Sequence, residues 1–292
     1  MLIMRSWMFV PGHRQKMIDK ARGLELDAAV LDLEDGVPPA EKDAARTRVS
    51  EVIGQWRPGP QCFVRTDAAD TKAIEADLDA VVRPGLAGVV LPKVEKADDL
   101  RKVDTMLRER EKNASMDPGA VQLIAIIEST RGVIFAPEIA AACKRTAGLL
   151  FGSEDFALDL GLLTVDQAEA GQMLYARSAV AIAAASQGLQ AIDRVYLDVT
   201  DPKGLRADAA RGRELGFTGK ALIHPDQIGV VHECLDPTPR QLEHAQRVVD
   251  AFDRAEAQGD GSTTVAGQLV DLPIVEKARR VLESQRKHSS QQ

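Results

Sequence analysis

Short apolar segments alternate with longer amphipathic segments along the first four fifths of the chain. The apolar segments are rich in Val, Ile and Leu, which is typical of strands in a parallel sheet that is buried on both faces. We predict strands at residues 7–10, 28–33, 62–64, 88–91, 122–127, 148–151, 191–199 and 219–223.

The segments between these strands carry apolar residues at helical spacing. We predict helices at residues 40–53, 71–82, 95–109, 138–145, 176–187 and 203–215. A helix between consecutive strands is the usual right-handed crossover of a parallel sheet. The pattern therefore predicts an α/β fold, a (β/α)8 TIM barrel at residues 1–235. A doubly wound open sheet shows the same alternation, so periodicity leaves that alternative open.

The pattern changes after His224 and Pro225. Residues 240–257 predict one long amphipathic helix, and a loop with the sequence GDGSTT follows it. We predict that residues 236–292 form a C-terminal helical extension that does not repeat the preceding unit.

Composition narrows the class of protein. The chain has 37 basic and 44 acidic residues, a net charge of −7, and this acidic balance argues against nucleic-acid binding. Three cysteines without disulfide or zinc spacing fit a reducing compartment. We find neither a signal peptide nor an apolar run long enough to span a membrane, so we expect a soluble cytoplasmic protein.

Polar residues follow six of the predicted strands at the point where each strand ends. In a parallel barrel these positions share the carboxyl rim, where such enzymes carry their chemistry. Each residue alone also fits a solvated loop or a helix cap, but their convergence predicts an active site. The residues are Glu34, Asp35, Arg65, Lys93, Glu128, Asp155 and His224.

Glu128 and Asp155 follow adjacent predicted strands, so their carboxylates are expected to lie close together. Oxygen ligands without nearby His or Cys select a hard cation, Mg2+ or alternatively Mn2+. Two alternatives stay open for Asp155: it complements a helix dipole behind a Ser153 cap, or Glu154 is the ligand instead.

Arg65 ends an apolar strand, and its planar guanidinium suits a substrate carboxylate or an enolate oxygen. A buried salt bridge with Glu34 or Asp35 is the alternative. The segment after Pro11 and Gly12 carries several basic residues, Lys16 among them, and predicts either a phosphate site or a solvated basic helix.

Seven segments, in this order, closely resemble the HpcH/HpaI aldolase family. They are RSWMFVPGHRQKMIDKA, AVLDLEDGVPPAEKDAAR, FVRTDA, VVLPKVE, IIESTRGV, GSEDFALDLG and GKALIHPDQI. Within that family they look like the citrate lyase β-subunit-like branch, which includes malyl-CoA and citramalyl-CoA lyases. The resemblance extends over residues 4–285.

The resemblance implies a TIM barrel that uses Mg2+ and assembles as trimers or hexamers. It implies that Glu128 and Asp155 bind the metal and that Arg65 contacts substrate. Residues 267–273, GQLVDLP, match a C-terminal segment that brings a catalytic aspartate, here Asp271, into a neighbouring subunit's site. An ordinary helix N-terminal role before Pro273 is the alternative for Asp271, and Leu269 replaces a frequent methionine.

The further residues that we expect to help bind substrate are Glu34, Asp35, Lys93, Arg5 and Lys16. The reaction implied is reversible cleavage of a 3-hydroxyacyl-CoA thioester, such as citramalyl-CoA or malyl-CoA, into acetyl-CoA and a 2-oxo acid. Arg65 would stabilise the enolate, and Asp271 would protonate it. The alternatives are a citrate lyase β subunit that acts on an acyl-carrier-protein thioester within a complex, a malyl-CoA thioesterase, and a non-catalytic subunit of a complex.

Overall fold

The computed structural model describes residues 3–162 and 173–289. The chain divides into two compact units. The larger unit comprises Met4–His232, and the smaller one comprises the described residues after His232 together with Ile3.

The larger unit is a closed barrel of parallel strands in which sequence neighbours pair. In the described ranges its strands are β1 (Ser6–Pro11), β2 (Ala28–Asp32), β3 (Gln61–Arg65), β4 (Gly88–Leu91), β5 (Gln122–Ile127), β6 (Thr146–Phe151), β7 (Gln190–Asp193) and β8 (Gly219–Leu222). The first strand pairs in parallel with the last, with Ser6 opposite Lys220. This closure confirms the predicted TIM barrel, because the doubly wound sheet would leave two open edges.

Helices follow the strands of the barrel, as the crossover pattern requires. They are α1 (Gln15–Arg22), α2 (Lys42–Ile53), α3 (Ala73–Val81), α4 (Ala97–Asn113), α5 (Thr130–Ile134), α6 (Ala136–Ala140), α7 (Ser153–Leu160), α8 (Leu174–Ser186), α9 (Pro202–Leu215) and α10 (Gln227–Leu235). A short 3-10 helix, Pro39–Glu41, precedes α2.

Large apolar side chains fill the interior of the barrel. Trp7 and Phe63 are fully buried there, with ring centroids 4.7 Å apart. Gly88 allows this packing, since a Cβ at that position would lie 2.5 Å from the Phe63 ring. The interior is therefore a packed core that supports a site at the rim, and it leaves no channel through the barrel.

Two predicted elements are longer than the structure allows. The strand predicted at 191–199 ends at Asp193, because Asp193 and Arg194 belong to a buried ionic cluster. The helix predicted at 138–145 lies instead at Ala136–Ala140, and Arg145 forms buried ion pairs with Asp104 and Glu111.

The smaller unit combines helices with a β-hairpin. Helix α11 (Pro239–Glu256) begins with a capping box formed by Thr238 and Gln241. Strands β9 (Thr263–Val265) and β10 (Gln268–Val270) pair antiparallel, and α12 (Leu272–Ser289) follows them. The residues that join the two strands, Ala266 and Gly267, both have positive φ, as a tight two-residue hairpin turn requires.

The two helices confirm the predicted helical extension, and the hairpin between them was not predicted. Its strand β10 contributes Val270 to a core shared with the two helices, in which Val248, Phe252 and Val275 are also buried. Among the described residues no helix is long and apolar enough to cross a membrane.

Candidate active site

The carboxyl rim of the barrel gathers charged side chains from the ends of five successive strands, β2 to β6. Asp32 and Arg65 are the last residues of β2 and β3, and Glu128 directly follows β5. Lys93 comes two residues after β4, and Asp155 lies in the first turn of α7, behind β6. Because all the strands are parallel, these positions fall on one rim.

Arg65 is held in a fixed orientation by two carboxylates. Its Nε and Nη2 donate to the two oxygens of Asp32, each at 2.7 Å, and its Nη1 lies 2.9 Å from Glu34 Oε2. The guanidinium also lies over the Phe9 ring, 5.1 Å from its centroid. Burial alone would lower the pKa of Arg65, but the hydrogen bonds with Asp32, together with the negative charges of Asp32, Glu34 and Glu128, outweigh it and raise this pKa.

Asp32 is a site residue that the sequence analysis missed. It is 3% exposed, and besides Arg65 it accepts hydrogen bonds from the backbone N–H groups of Glu34 and Gly36, at 2.9 and 2.8 Å. The available signal was an aspartate at the end of an otherwise apolar strand, AAVLD. A carboxylate is rarely buried in such a strand without a cationic partner.

Glu34 bridges the two cations of the site. Lys93 Nζ lies 2.7 Å from Glu34 Oε1, while Arg65 binds the other oxygen. Asp35 is exposed and 3.7 Å from the same ammonium group. Burial raises the pKa of Glu34, and Arg65 and Lys93 oppose that shift. The salt bridge proposed as the alternative role of Arg65 thus forms with Asp32 and Glu34, and Asp35 contacts Lys93 instead.

Glu128 is the most strongly perturbed carboxyl group at the rim. It is 6% exposed, and its Oε1 accepts a hydrogen bond of 2.7 Å from the backbone N–H of Lys93. Lys93 has a φ of +54°, a left-handed conformation that is uncommon for a side-chain-bearing residue and that accompanies this bond. Burial, together with the charges of Asp155 and Glu34, raises the pKa of Glu128 to about 8.

The carboxylates of Glu128 and Asp155 fit a hard divalent cation. Gly152 leaves room for Glu128, since a Cβ there would lie 2.6 Å from Glu128 Oε2. Five carboxyl groups (Asp32, Glu34, Asp35, Glu128 and Asp155) lie near the two cations Arg65 and Lys93 at this rim, so a bound cation would offset the excess negative charge. Among the described residues no three possible metal-ligating side chains converge.

The alternatives for Asp155 differ in geometry. The cap of α7 is Gly152 and not Ser153, and the helix has no side-chain cap hydrogen bond. Ser153 Oγ donates instead to Glu154 Oε1 at 3.0 Å. Glu154 is exposed, whereas Asp155 is half-buried and lines the same cavity as Glu128. The cavity has a volume of about 570 Å³ and is lined by Lys93, Glu128, Ser129, Arg131, Asp155 and Asp159, among others.

Two predicted substrate-binding residues, Arg5 and Lys16, lie at opposite ends of the barrel unit. Arg5 precedes β1, at the amino end of the barrel, where its Nε and Nη2 donate to Asp27 at 3.0 Å each. Arg5 is therefore at the opposite rim from Glu128, and we leave it out of the proposed site. Lys16 is exposed on the first turn of α1, which follows β1 at the carboxyl rim.

Asp271 belongs to the smaller unit. It lies between β10 and α12, and its Oδ1 accepts a weak hydrogen bond from the backbone N–H of Ile274 at 3.4 Å. This is the helix N-terminal position named as an alternative, and a half-buried carboxylate there remains available for a second role. Three large apolar side chains around it are exposed, Leu269, Leu272 and Ile274.

Comparison with known proteins identifies close relatives over nearly the whole chain. The family described as HpcH/HpaI aldolase/citrate lyase matches residues 5–225. The chain is 38% identical to citrate lyase subunit beta of Escherichia coli (strain K12) over 280 residues, which cover 95% of this chain and 92% of that protein. It is 32% identical over 296 residues to mitochondrial citramalyl-CoA lyase of Homo sapiens, covering 95% of this chain and 84% of that protein.

A solved structure extends the comparison to three dimensions. The CitE protein from Mycobacterium tuberculosis, in complex with magnesium, acetoacetate and coenzyme A, superposes with a TM-score of 0.77 at 32% sequence identity. The match covers 97% of this chain and 98% of that chain.

Proposed function

We propose, from the premise that this chain belongs to the HpcH/HpaI aldolase/citrate lyase family, that it is a Mg2+-dependent carbon–carbon lyase acting on a 3-hydroxyacyl-CoA thioester such as citramalyl-CoA or malyl-CoA. The products are acetyl-CoA and a 2-oxo acid. The observation that carries this proposal is the convergence, at one rim, of an oriented guanidinium with two carboxylates that fit a metal ion.

Glu128 and Asp155 are the proposed metal ligands. When bound, Mg2+ supplies a Lewis acid that polarises the oxygens of the acid portion of the substrate. The relative in complex with magnesium and coenzyme A supports the choice of Mg2+ as the metal. Because burial favours the protonated form of Glu128, the carboxyl group must lose its proton before it can serve as a ligand.

Arg65 is proposed to stabilise the enolate that forms when the carbon–carbon bond breaks. As the substrate hydroxyl becomes the oxo group and releases its proton, the electron pair of that bond passes to the acetyl thioester. Contacts with described residues use three of the five guanidinium N–H groups of Arg65, so two remain for the developing oxyanion. Asp32 and Glu34 hold the guanidinium of Arg65 in a fixed orientation.

Asp271 is proposed to protonate the enolate carbon, as a residue contributed by a second copy of the chain. The exposed side chains of Leu269, Leu272 and Ile274 support this placement, because large apolar groups around a carboxylate are typical of a surface that a partner covers. A homotrimer, or a hexamer of trimers, is the assembly that we propose.

The test is to incubate the purified protein with Mg2+ and either citramalyl-CoA or malyl-CoA, and to assay both 2-oxo acid and free thiol. We expect a 2-oxo acid, pyruvate or glyoxylate, to appear together with acetyl-CoA. Release of free CoA together with the intact hydroxy acid would identify a thioesterase, and absence of turnover with both thioesters would reject the lyase proposal. Full activity in excess EDTA would reject the metal role.

The second candidate is a citrate lyase β subunit that acts on a thioester of an acyl carrier protein. The higher identity to the Escherichia coli citrate lyase subunit, 38% against 32% for human citramalyl-CoA lyase, favours it. Comparing kcat/KM for the same acyl group on free CoA and on a carrier protein decides between them. A preference of tenfold or more for the carrier thioester would support the complex, and a preference for CoA would support the free lyase.

A further inference from the structure

Asp159 lies in the last turn of α7, at a position that does not favour that helix. The carboxyl end of a helix dipole is negative, so an aspartate there is destabilising, and no basic residue of α7 occupies that turn. Asp159 is also exposed, so packing does not account for it. Its contacts outside α7 are therefore the ones that give it a role.

Asp159 binds the segment that carries Glu128. Its Oδ2 accepts hydrogen bonds from the backbone N–H and from the Oγ1 of Thr130, each at 2.6 Å. Thr130 is the first residue of α5, and the cap of that helix, Ser129, accepts from the Gly132 N–H at 3.0 Å. These two hydrogen bonds also lower the pKa of Asp159, which keeps the carboxylate ionised and a strong acceptor.

The two hydrogen bonds close a ring of contacts around the carboxylate pair. Glu128 precedes Thr130 by two residues, and Asp155 precedes Asp159 by four, which puts both aspartates on one face of α7. At the base of the ring the Gly152 N–H donates to the carbonyl of Ile127 at 3.0 Å, where β5 and β6 end. The ring therefore connects the start of α7 to the end of β5 and the end of α7 to the start of α5.

We propose that Asp159 is a positioning residue for the metal site: by holding Thr130, it fixes the separation of Glu128 and Asp155. The inference rests on the proposed function, since it takes those two carboxylates as the metal ligands. Without the contact to Thr130, α7 keeps the Gly152 hydrogen bond and the packing of Phe156 against Phe151. It loses its hydrogen bonds to the residues that follow Glu128, so the separation of Glu128 and Asp155 is less tightly fixed.

Two substitutions at Asp159 distinguish the loss of its hydrogen bonds with Thr130 from the loss of its negative charge. Asp159→Ala and Asp159→Asn both remove one negative charge near the site, but the asparagine keeps an acceptor oxygen for Thr130. We expect the alanine variant to bind Mg2+ about ten- to a hundredfold more weakly, and the asparagine variant to stay within about threefold of the wild type. Equal losses in both variants, or no loss in the alanine variant, would overturn the positioning role.

The measurement is the Mg2+ dissociation constant of the full chain, determined by isothermal titration calorimetry without substrate. Leu160→Ala, an exposed apolar residue on the same turn, is the matched control and should bind as the wild type does. Thermal midpoints in EDTA should be alike for all variants, which separates a loss of geometry from a loss of folding. Adding Thr130→Ala to Asp159→Ala should weaken binding no further, and an additive loss would contradict the proposed contact.

Glu128→Ala distinguishes a failure of this inference from a failure of the proposed function. If Glu128→Ala binds Mg2+ like the wild type, the metal is held elsewhere and both proposals are wrong. If Glu128→Ala loses binding and Asp159→Ala retains it, only the positioning role is wrong.

Discussion

Arg65 illustrates how one side chain depends on its neighbours for a chemical role. Asp32 binds its Nε and Nη2 with two bonds of 2.7 Å, and Glu34 binds Nη1 at 2.9 Å. Only a planar guanidinium can contact both carboxylates through three nitrogens in this way, because the ammonium of lysine is a compact charge on a single nitrogen.

The first prediction concerns Arg65→Lys. We expect kcat to fall by about a hundredfold, since the oriented donors for the enolate oxygen are lost. The Mg2+ dissociation constant should change by no more than about threefold, because a positive charge remains beside the carboxylates. Steady-state kinetics and calorimetry measure the two quantities, and Arg108→Lys, at an exposed guanidinium paired with Asp104, serves as the control. A kcat near that of the wild type would exclude Arg65 from the chemistry.

The second prediction concerns the pH dependence that Glu128 brings to the metal-free protein. Burial raises its pKa to about 8 in the folded chain, against an ordinary value of 4.5. Between pH 4.5 and pH 8, the Glu128 carboxyl group keeps its proton in the folded chain and has lost it in the unfolded chain. The contribution of Glu128 to the free energy of unfolding is therefore greatest below pH 4.5 and is lost as the pH rises through 8.

Glu128→Gln removes this dependence because the amide never ionises. In EDTA, its thermal midpoint should exceed that of the wild type by a margin that grows from pH 5 to pH 8 and then stays constant. Adding Mg2+ at pH 9 should raise the midpoint of the wild type but not that of the variant. Parallel stability curves for the two proteins would show that Glu128 is not a buried, perturbed acid.

At the scale of elements, the amino end of the barrel is held by an ionic cluster unrelated to the chemistry. Arg145, which precedes β6, bonds Asp104 and Glu111 of α4 as well as the carbonyl of Val121 before β5. Glu111 also accepts from the N–H groups of Gly119 and Val121, each at 2.9 Å. One arginine thus connects a helix to two strands.

The third prediction is that Arg145→Met lowers the free energy of unfolding by about 3 kcal/mol, because it takes the cation away from the buried Glu111 carboxylate and leaves Asp104 only its exposed partner Arg108. Arg101→Met, which removes an exposed i,i+3 pair with Asp98, should change it by less than about 1 kcal/mol. Urea unfolding measures both, and similar losses in the two variants would contradict the buried-pair argument. The Mg2+ affinity of folded Arg145→Met should be that of the wild type, since the cluster lies at the other rim.

The ends of β7 and α6 are not predicted by the local sequence pattern. The apolar run at 191–199 favours a strand throughout, yet β7 ends at Asp193, since Asp193 pairs with Arg177 and with Lys220. The helical spacing of residues 138–145 likewise predicts a helix up to Arg145, but the helix ends at Ala140. In both cases a charge that binds partners on other elements ends the regular structure.

At the scale of the whole molecule, the proposed reaction needs Asp271, which lies in the smaller unit, and the carboxylates of the barrel unit. Our proposal that a second copy supplies Asp271 makes the oligomer the catalytic species. A monomer would then bind Mg2+ and substrate without turnover.

The fourth prediction tests this by mixing two inactive variants, Glu128→Gln and Asp271→Asn. Each alone should be inactive, and the Asp271→Asn variant should keep its Mg2+ affinity. After dissociation and reassembly at equal amounts, about a quarter of the sites should combine an intact Glu128 with an intact Asp271 from the neighbouring copy, restoring about a quarter of the wild-type activity. No recovery, in a mixture that chromatography shows to be assembled, would place Asp271 in its own chain's site or outside the chemistry.

The architecture of the barrel and the residues at its carboxyl rim follow from the amino-acid pattern alone. Apolar runs separated by amphipathic helices are a local property, and a residue that follows a strand needs no knowledge of its partners to be placed on that rim. The strand ends at Arg65 and Glu128 were predictable for this reason, and the relatives support the family that their motifs indicate.

The pairing of those residues, by contrast, depends on how the chain packs in three dimensions. Closure of β8 on β1, the orientation of Arg65 by Asp32, the burial that perturbs Glu128 and the hydrogen bonds of Asp159 with Thr130 all join positions far apart in the chain. Periodicity reports the environment of one segment, whereas these contacts depend on the packing of several. A charge at a strand end indicates a site, but its partner, its pKa and its orientation follow from distances that only the folded chain sets.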